Sequence, residues 1–155
     1  MKTLAILACA TLLTMTAAPP SKPNFSGTWK LDVEKSEFGP MPPPTSMTRE
    51  IKHAEPNLQI KTTTVSQQGE LTLELKYTTD GKETTNATRL GDIKGTAQWE
   101  ADAIVVRYTV VNPQAGEMKF EDRWTLSPSG KVTTVVSKIS GAFGETERKL
   151  YFDKQ

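Results

Sequence analysis

The sequence predicts an all-β fold: an antiparallel up-and-down meander that closes into a barrel of about 8–10 strands. Three observations predict it. Apolar and polar residues alternate with a period of two, turn-forming clusters recur at short intervals, and threonine is abundant. Of the 22 threonines, 18 follow residue 18, and threonine favours pleated, half-buried surfaces over helices.

The alternation recurs along most of the chain. It is clearest from Leu71 to Thr78, where Leu and Tyr alternate with Thr, Glu and Lys. Clusters such as Asp80-Gly81 and Ser127-Pro128-Ser129-Gly130 supply the turns between such segments. The expected strands lie near residues 25–31, 46–53, 57–66, 70–79, 83–90, 93–100, 103–111, 116–126, 131–139 and 145–153. Closing this meander into a barrel removes its open edges.

One connection is too long for a hairpin, the segment from Asp32 to Ser46. Residues 34–38 fit a single turn of helix. Residues 39–44 read Gly-Pro-Met-Pro-Pro-Pro, and prolines favour an extended chain that donates few backbone hydrogen bonds. We expect a loop or strap at one mouth of the barrel.

The first eighteen residues have the pattern of a secretory signal peptide. Lys2 precedes an apolar stretch that is short for a membrane span, and the small pair Ala17-Ala18 marks the expected cleavage region. We therefore expect a signal peptide at 1–18, a linker at 19–24 and one barrel domain at 25–155, in a secreted or periplasmic protein.

The charge and composition of the chain argue against several classes of binding partner. The 19 basic and 18 acidic residues are interspersed, which argues against nucleic acid and anionic membrane surfaces. Without residues 1–18, the apolar content is only about 31 per cent and no cysteine remains, which excludes disulfides. We expect neither a nucleic-acid partner nor a stable membrane span. The oligomeric state is open, with a monomer as the simplest expectation.

The opening strand, Asn-Phe-Ser-Gly-Thr-Trp-Lys-Leu at 24–31, resembles that of the calycins, the barrel superfamily of lipocalins and fatty-acid-binding proteins. The chain is also similar to small secreted bacterial lipocalin-like proteins. The resemblance implies that Gly27 allows close approach and that Trp29 plugs the closed end. It also implies that Arg148 packs over Trp29 as a cation, a structural role.

The chain departs from the fatty-acid-binding pattern at two places. Those proteins carry a helical lid where this chain has the proline-rich segment. They also read a carboxylate with Arg-x-Tyr, whereas Arg148 and Tyr151 would lie on opposite faces of a strand. The resemblance therefore implies a barrel for a small hydrophobic or amphipathic molecule, without that carboxylate-reading motif.

Asp122 is the most informative candidate site residue. It falls in phase with Phe120 and Trp124 on an otherwise apolar face, where an unpaired carboxylate is costly. Two interpretations stay open. Asp122 forms an internal ion pair with Arg49 or Arg148, or it anchors a ligand at the base of a cavity.

Five aromatic side chains are candidates for a cavity wall, although aromatics at strand period also fill ordinary cores: Tyr77, Trp99, Tyr108, Phe120 and Trp124. Threonines in phase with apolar residues, among them Thr62, Thr64 and Thr134, favour a partly polar interior. Together with Arg49 and Asp122, the aromatics are the candidate ligand-binding residues.

Catalysis and metal binding have little support in the sequence. His53 is the only histidine, and we expect it on the surface at a strand end. We expect no metal, no cofactor and no catalytic residue. The predicted function is therefore an exported, non-catalytic binding protein. The alternative is a filled-barrel envelope protein that meets another protein, through residues 39–44 for example; a barrel enzyme is a weaker third reading.

Overall fold

The computed structural model describes residues 21–112 and 116–155, so the expected signal peptide lies outside the described residues. The predicted all-β fold is confirmed, because this part of the chain forms one antiparallel sheet of ten strands. They are β1 (Gly27–Glu37), β2 (Ser46–Ala54), β3 (Asn57–Ser66), β4 (Gly69–Thr78), β5 (Thr84–Thr88), β6 (Gly91–Glu100), β7 (Ala103–Asn112), β8 (Gly116–Leu126), β9 (Val132–Gly141) and β10 (Gly144–Lys154).

The sheet runs in the order β4-β3-β2-β1-β10-β9-β8-β7-β6-β5 and curls into a nearly closed barrel. Strands β4 and β5 form the seam, which side chains bridge. Asn86 Oδ1 accepts a hydrogen bond from the Lys76 backbone N–H at 2.7 Å, and Asn86 Nδ2 donates to the Lys76 carbonyl at 3.1 Å. The Asn86 side-chain amide thus makes the two hydrogen bonds to Lys76 that the backbone of a neighbouring strand would otherwise make.

The two ends of the barrel differ in packing. The end with the β2–β3, β4–β5, β6–β7 and β8–β9 turns is termed the closed end, and Phe25, Trp29, Tyr77 and Trp124 are buried toward it. The other end, termed the strap end, carries the remaining hairpins and residues 38–45. Side chains that point inward there keep partial exposure, and examples are Met47, Thr64, Leu71, Tyr108, Met118 and Phe120. The interior is therefore packed at one end and accessible at the other.

The expected helical turn at 34–38 was wrong, because β1 continues to Glu37. Pairing with β10 shifts between Asp32 and Glu37, which indicates a bulge. Ser36 Oγ holds the bulged segment by accepting a hydrogen bond from the Tyr151 N–H at 3.0 Å. The strap then crosses back to β2, and Thr45 N–H donates to the Val65 carbonyl.

The inward phase of β9 is the reverse of the expected one. Thr133, Val135 and Ser137 are buried, whereas Thr134 keeps partial exposure on the other face. A slip of one residue exchanges the two faces of a strand, and Val132 to Val136 is apolar on both faces, so the pattern does not fix the phase. No helix in the described ranges is long and apolar enough to cross a membrane.

Candidate functional site

A row of polar side chains crosses the middle of the barrel interior. Asp122 on β8 is 3% exposed, and Ser137 on β9 lies directly opposite it. The Ser137 hydroxyl donates a hydrogen bond to Asp122 Oδ1. Arg148 on β10 is paired with Ser137 in register, which extends the row to a third strand.

Arg49 reaches the same region from β2. Its guanidinium carbon lies 5.1 Å from the ring centre of Trp124 and 4.6 Å from that of Phe152. Burial lowers the pKa of Arg49, and the negative charge of Asp122 opposes that shift. Arg49 is therefore a cation held between aromatic rings and in the electric field of a buried carboxylate.

The first of the two interpretations of Asp122, a direct ion pair with Arg49 or Arg148, is not found in the described part of the chain. Among the residues that the structure describes, no arginine nitrogen lies within 4.0 Å of the Asp122 carboxylate, and the ion pairs found lie elsewhere. Asp122 instead accepts from Ser137, and Arg49 packs on aromatic rings. The Nε atoms of Arg49 and Arg148 are buried with no hydrogen-bond partner in that part of the chain.

Two tyrosines border this polar row. Burial, reinforced by the charge of Asp122, raises the pKa of both Tyr77 and Tyr108, so both phenols stay neutral at physiological pH. The Tyr77 hydroxyl is buried and has no partner among the described residues. Tyr108 stacks on Phe120, with ring centres 4.7 Å apart.

Most of the predicted ligand-binding set is therefore brought together. Arg49 and Trp124 are in contact, the charges of Asp122 and Arg49 influence each other, and Tyr108 and Phe120 form a stacked pair toward the strap end. Tyr77 lies near the closed end, but the charge of Asp122 still contributes to its raised pKa. The seventh predicted residue, Trp99, lies apart from these, at the closed end beside His53.

His53 is buried, and its expected surface position was wrong. The His53 ring lies 5.9 Å from that of Trp99 and 6.1 Å from that of Phe25. His53 Nδ1 accepts from the Phe25 backbone N–H, so Nε2 carries the proton that is donated to Glu55 Oε1 at 2.7 Å. Both ring nitrogens thus serve the structure of the closed end.

Glu55, in the β2–β3 turn, is hydrogen-bonded to three side chains from different parts of the closed end. Besides His53, it accepts hydrogen bonds from Trp99 Nε1 at 2.8 Å and from Thr79 Oγ1 at 2.6 Å. Burial would raise the pKa of Glu55, but the bonds from Thr79, His53 and Trp99 outweigh burial and lower it. The negatively charged Glu55 carboxylate therefore links His53, Thr79 and Trp99 and stabilises this end of the barrel.

The Trp29 plug is present, with a different cation over it. Trp29 is 1% exposed, its Nε1 donates to the Phe25 carbonyl at 2.9 Å, and Lys154 Nζ lies 5.2 Å from its ring centre. Lys154, not Arg148, takes the expected position. Gly27 makes room for it, because a Cβ there would lie 2.8 Å from Lys154 Cε.

A groove of about 910 Å³ crosses strands β6 to β10. Each of these five strands supplies three successive residues, of which the middle one points into the barrel and the flanking two point outward. The groove therefore lies on the outer face of the sheet. Its outward side chains form two rows in register: Lys94, Thr109, Lys119, Ser140 and Glu145, and then Thr96, Arg107, Glu121, Lys138 and Glu147.

Sequence reasoning missed four features of these sites. Ser137 could have been found from its phase with Val135 and Ile139, had the phase of β9 been assigned correctly. The groove depends on sheet curvature, and Glu55 and Lys154 depend on contacts between distant segments. No local pattern signals any of these three.

No protein-family model and no curated protein sequence matches the chain. Solved structures do match it. Secretory abundant heat soluble protein 4 from Ramazzottius varieornatus has a TM-score of 0.61 at 13% identity, over 90% of this chain and 99% of that one. Zebrafish ileal bile acid-binding protein complexed with cholic acid has a TM-score of 0.53 at 19% identity, over 84% and 98%.

The fatty acid-binding protein in brain tissue of Drosophila melanogaster is also similar, with a TM-score of 0.52 at 14% identity, over 84% of this chain and 99% of that one. At these identities the comparison concerns architecture. The structural neighbours have the calycin fold of the lipocalins and fatty-acid-binding proteins, and this chain shares that fold.

Proposed function

We propose that this protein is an exported, non-catalytic carrier that holds a small amphipathic molecule with an acidic head group inside the barrel. One observation carries the proposal. The Nε atoms of Arg49 and Arg148 are buried without a hydrogen-bond partner in the described residues, in a polar row that holds a single buried carboxylate, that of Asp122.

The charges of this interior do not balance. Arg49 and Arg148 contribute two positive charges, and Asp122 contributes one negative charge. Buried charges are costly unless they are paired, and a guanidinium is the donor best suited to carboxylate or phosphate oxygens. A bound anion would compensate the excess charge, and the buried Tyr77 hydroxyl offers a further donor.

The apolar part of the ligand would occupy the strap half of the interior. Half-buried side chains that point inward there include Met47, Leu71 and Met118, and the Tyr108–Phe120 stack lies between them and the arginines. An apolar wall with a few convergent polar groups is typical of a small-molecule site. The names of two neighbours, a bile acid-binding and a fatty acid-binding protein, denote acidic amphiphiles.

A non-catalytic role is supported by the position of His53. Its two ring nitrogens are engaged with the Phe25 backbone and Glu55, away from Asp122 and the arginines. The buried polar row then contains cations, a carboxylate and hydroxyls that suit binding. Export is supported by the pattern of residues 1–18, and N-terminal sequencing of the protein from its native host would test it.

A second candidate function is a protein interaction module, and the outer groove favours it. The groove offers cations such as Lys94 and Lys138 and anions such as Glu145 and Glu147 along one curved face. An extended polar peptide could pair with both signs of charge. Retention of a small amphiphile in the interior would favour the carrier over this module.

The head-group claim is tested by comparing oleate with oleyl alcohol, which differ only at the polar end. Binding is measured by displacement of a fluorescent amphiphile from wild type, Arg49→Gln and the matched outer-face control Arg123→Gln. We expect oleate to bind at least about tenfold more tightly than the alcohol, a difference of about 1.4 kcal/mol. Arg49→Gln should remove the difference, and Arg123→Gln should keep it. Equal affinity for acid and alcohol in wild type would overturn the proposal.

A further inference from the structure

Four buried donor groups in the barrel interior lack an acceptor among the residues that the structure describes. They are Nε of Arg49, Nε of Arg148, the Tyr77 hydroxyl and Nε1 of Trp124. The guanidinium and indole N–H groups can only donate, so an acceptor has to be brought to them. A buried donor without a partner is costly, and four of them in one interior indicate a ligand that is rich in acceptor oxygens.

These donors surround Asp122 at the centre of the barrel. Trp124 is two residues from Asp122 on the inward face of β8, and its ring centre lies 5.1 Å from the guanidinium carbon of Arg49. Arg148 is in register with Ser137, the hydrogen-bond partner of Asp122. Burial, and then the charge of Asp122, raises the pKa of Tyr77, so the phenol lies within the field of the same carboxylate.

The directions from which the donors come decide the shape of the acceptor. Arg49 stands on β2, Tyr77 on β4, Trp124 on β8 and Arg148 on β10, so they approach from four strands around the barrel. A carboxylate presents two oxygens in one plane, which suits a single guanidinium. A sulfonate or a sulfate ester presents three oxygens in tetrahedral directions and can accept from several sides at once.

The charge of the interior decides the charge of the acceptor. Two arginines and one carboxylate leave an excess of one positive charge, which a monoanion neutralises. A phosphate monoester carries up to two negative charges at neutral pH and would leave an excess of the opposite sign beside Asp122. A ligand carboxylate near Asp122 would be shifted toward its protonated form by the like charge, whereas a sulfonate stays ionised.

We propose that the head group taken by this interior is a tetrahedral monoanion with three terminal oxygens, the sulfonate or sulfate ester of an amphiphile. The inference rests on the proposed function and deepens it, because it names the head group for the same site. Arg49 and Arg148 supply the positive charge. Tyr77 and Trp124 are the specificity-determining residues, since their donors serve oxygens that a planar carboxylate does not present to them.

The experiment compares amphiphiles that share one alkyl chain and differ in the head group: tetradecanesulfonate, tetradecyl sulfate, tetradecanoate, tetradecyl phosphate and tetradecanol. Affinities are measured at neutral pH, below the concentrations at which these compounds aggregate, by displacement of a fluorescent amphiphile. We expect the sulfonate, the sulfate ester or both to bind at least about tenfold more tightly than tetradecanoate and tetradecyl phosphate. The tighter of the two identifies the natural head group.

Tyr77→Phe and Trp124→Phe each remove one donor and keep an aromatic ring. We expect each variant to lower sulfonate affinity at least about fivefold and to change tetradecanoate affinity by less than about twofold. Tyr151→Phe, the same substitution on the outer face beside Lys149, is the matched control and should change neither. Tyr77→Phe removes a hydroxyl that has no partner in the described residues, so its urea midpoint should not fall.

The contrary outcomes are distinct. Tetradecanoate binding as tightly as the sulfonate and the sulfate ester would overturn the inference, and its preference over tetradecanol would leave the proposed function intact. Tighter binding of tetradecyl phosphate would contradict the monoanion. Full sulfonate affinity in both Tyr77→Phe and Trp124→Phe would also overturn the inference. If every anion binds no more tightly than tetradecanol, the proposed function fails, and the inference fails with it.

Discussion

The guanidinium carbon of Arg49 lies 4.6 Å from the ring centre of Phe152, so a cation from β2 meets an aromatic ring from β10 inside the barrel. The same guanidinium lies 5.1 Å from the ring centre of Trp124. Two aromatic neighbours stabilise a charge that burial alone would disfavour. Arg49 is thereby held in place beside Asp122 without a direct ion pair.

Arg49→Met separates stability from recognition. Methionine replaces the apolar stem of the arginine but not its guanidinium, so the cation–π contribution of about 0.5–2 kcal/mol is lost and the desolvation cost disappears. We expect the free energy of unfolding, measured by urea titration, to change by less than about 2 kcal/mol. Oleate affinity should still fall. A variant that unfolds in buffer would show that Arg49 is required for the fold.

Asp122→Asn tests the carboxylate beside the arginines. Asparagine keeps an oxygen that can accept from Ser137, and removes the negative charge that opposes a bound anion. We expect oleate to bind about tenfold more tightly and oleyl alcohol to bind as before, in displacement assays. If the free energy of unfolding falls by more than about 3 kcal/mol with unchanged binding, Asp122 serves only to fix the barrel.

Ser137→Ala is the control for that variant. It keeps the Asp122 charge but removes the hydroxyl that donates to it, which leaves a buried acceptor unsatisfied. We expect a loss of about 1–3 kcal/mol in unfolding free energy without the gain in oleate affinity. A gain in oleate affinity equal to that of Asp122→Asn would show that the charge is not the cause.

Glu55 makes the closed end sensitive to acid. Its pKa in the folded protein lies below the ordinary value of 4.5, so its contribution is fully present above that pH and is lost as the pH falls through the lower, folded value. Because the side chain is 47% exposed, solvent screening limits this contribution to about 1 kcal/mol.

Unfolding titrations of wild type and Glu55→Gln from neutral to acidic pH check this direction. We expect wild type to be more stable above pH 4.5 and the difference to vanish in strong acid. Glu50→Gln, a change at an exposed carboxylate that contacts Lys61, is the matched control. A difference that grows on acidification would contradict the sign.

Gly27→Ala tests the close approach of Lys154 to the plug. Gly27 has φ +138°, and its Cβ would lie 2.8 Å from Lys154 Cε. We expect a loss of about 1–3 kcal/mol in unfolding free energy from backbone strain and crowding. Lys154→Ala in the same chain should recover only the crowding part. Full stability of Gly27→Ala would mean that the glycine is not required there.

Much of the fold can be predicted from the local alternation of apolar and polar residues, but in some segments that alternation does not decide the structure. The alternation from Leu71 to Thr78 fixes β4, because a period of two with one apolar face has one consistent register. Val132 to Val136 is apolar on both faces, so its phase depends on pairing with β8 and β10. Residues 34–37 become strand because Glu37 pairs with Lys149 on β10 and because Ser36 Oγ accepts a hydrogen bond from the Tyr151 N–H.

The sequence predicted most of the residues that meet at the candidate site, but it did not predict their hydrogen-bond partners. The phase of Asp122 with Phe120 and Trp124 placed it inside the barrel, as the structure shows. Its partner, however, is Ser137 and not an arginine, because the choice depends on the distances among three strands. The surface position predicted for His53 was wrong for a similar reason. The segment at Phe25, which precedes β1 and is not part of the strand alternation, covers the histidine.

Native mass spectrometry of the protein purified from its own host tests the interior site most directly. We expect the folded protein to retain an adduct of lipid size that is released on unfolding and identified as an amphiphile with a carboxylate, sulfonate or phosphate group. Arg49→Gln purified in the same way should lose the adduct, while Arg123→Gln should keep it. A folded wild-type protein that carries no adduct and shows no preference for oleate over oleyl alcohol would contradict the assignment of the barrel as an acidic-amphiphile carrier.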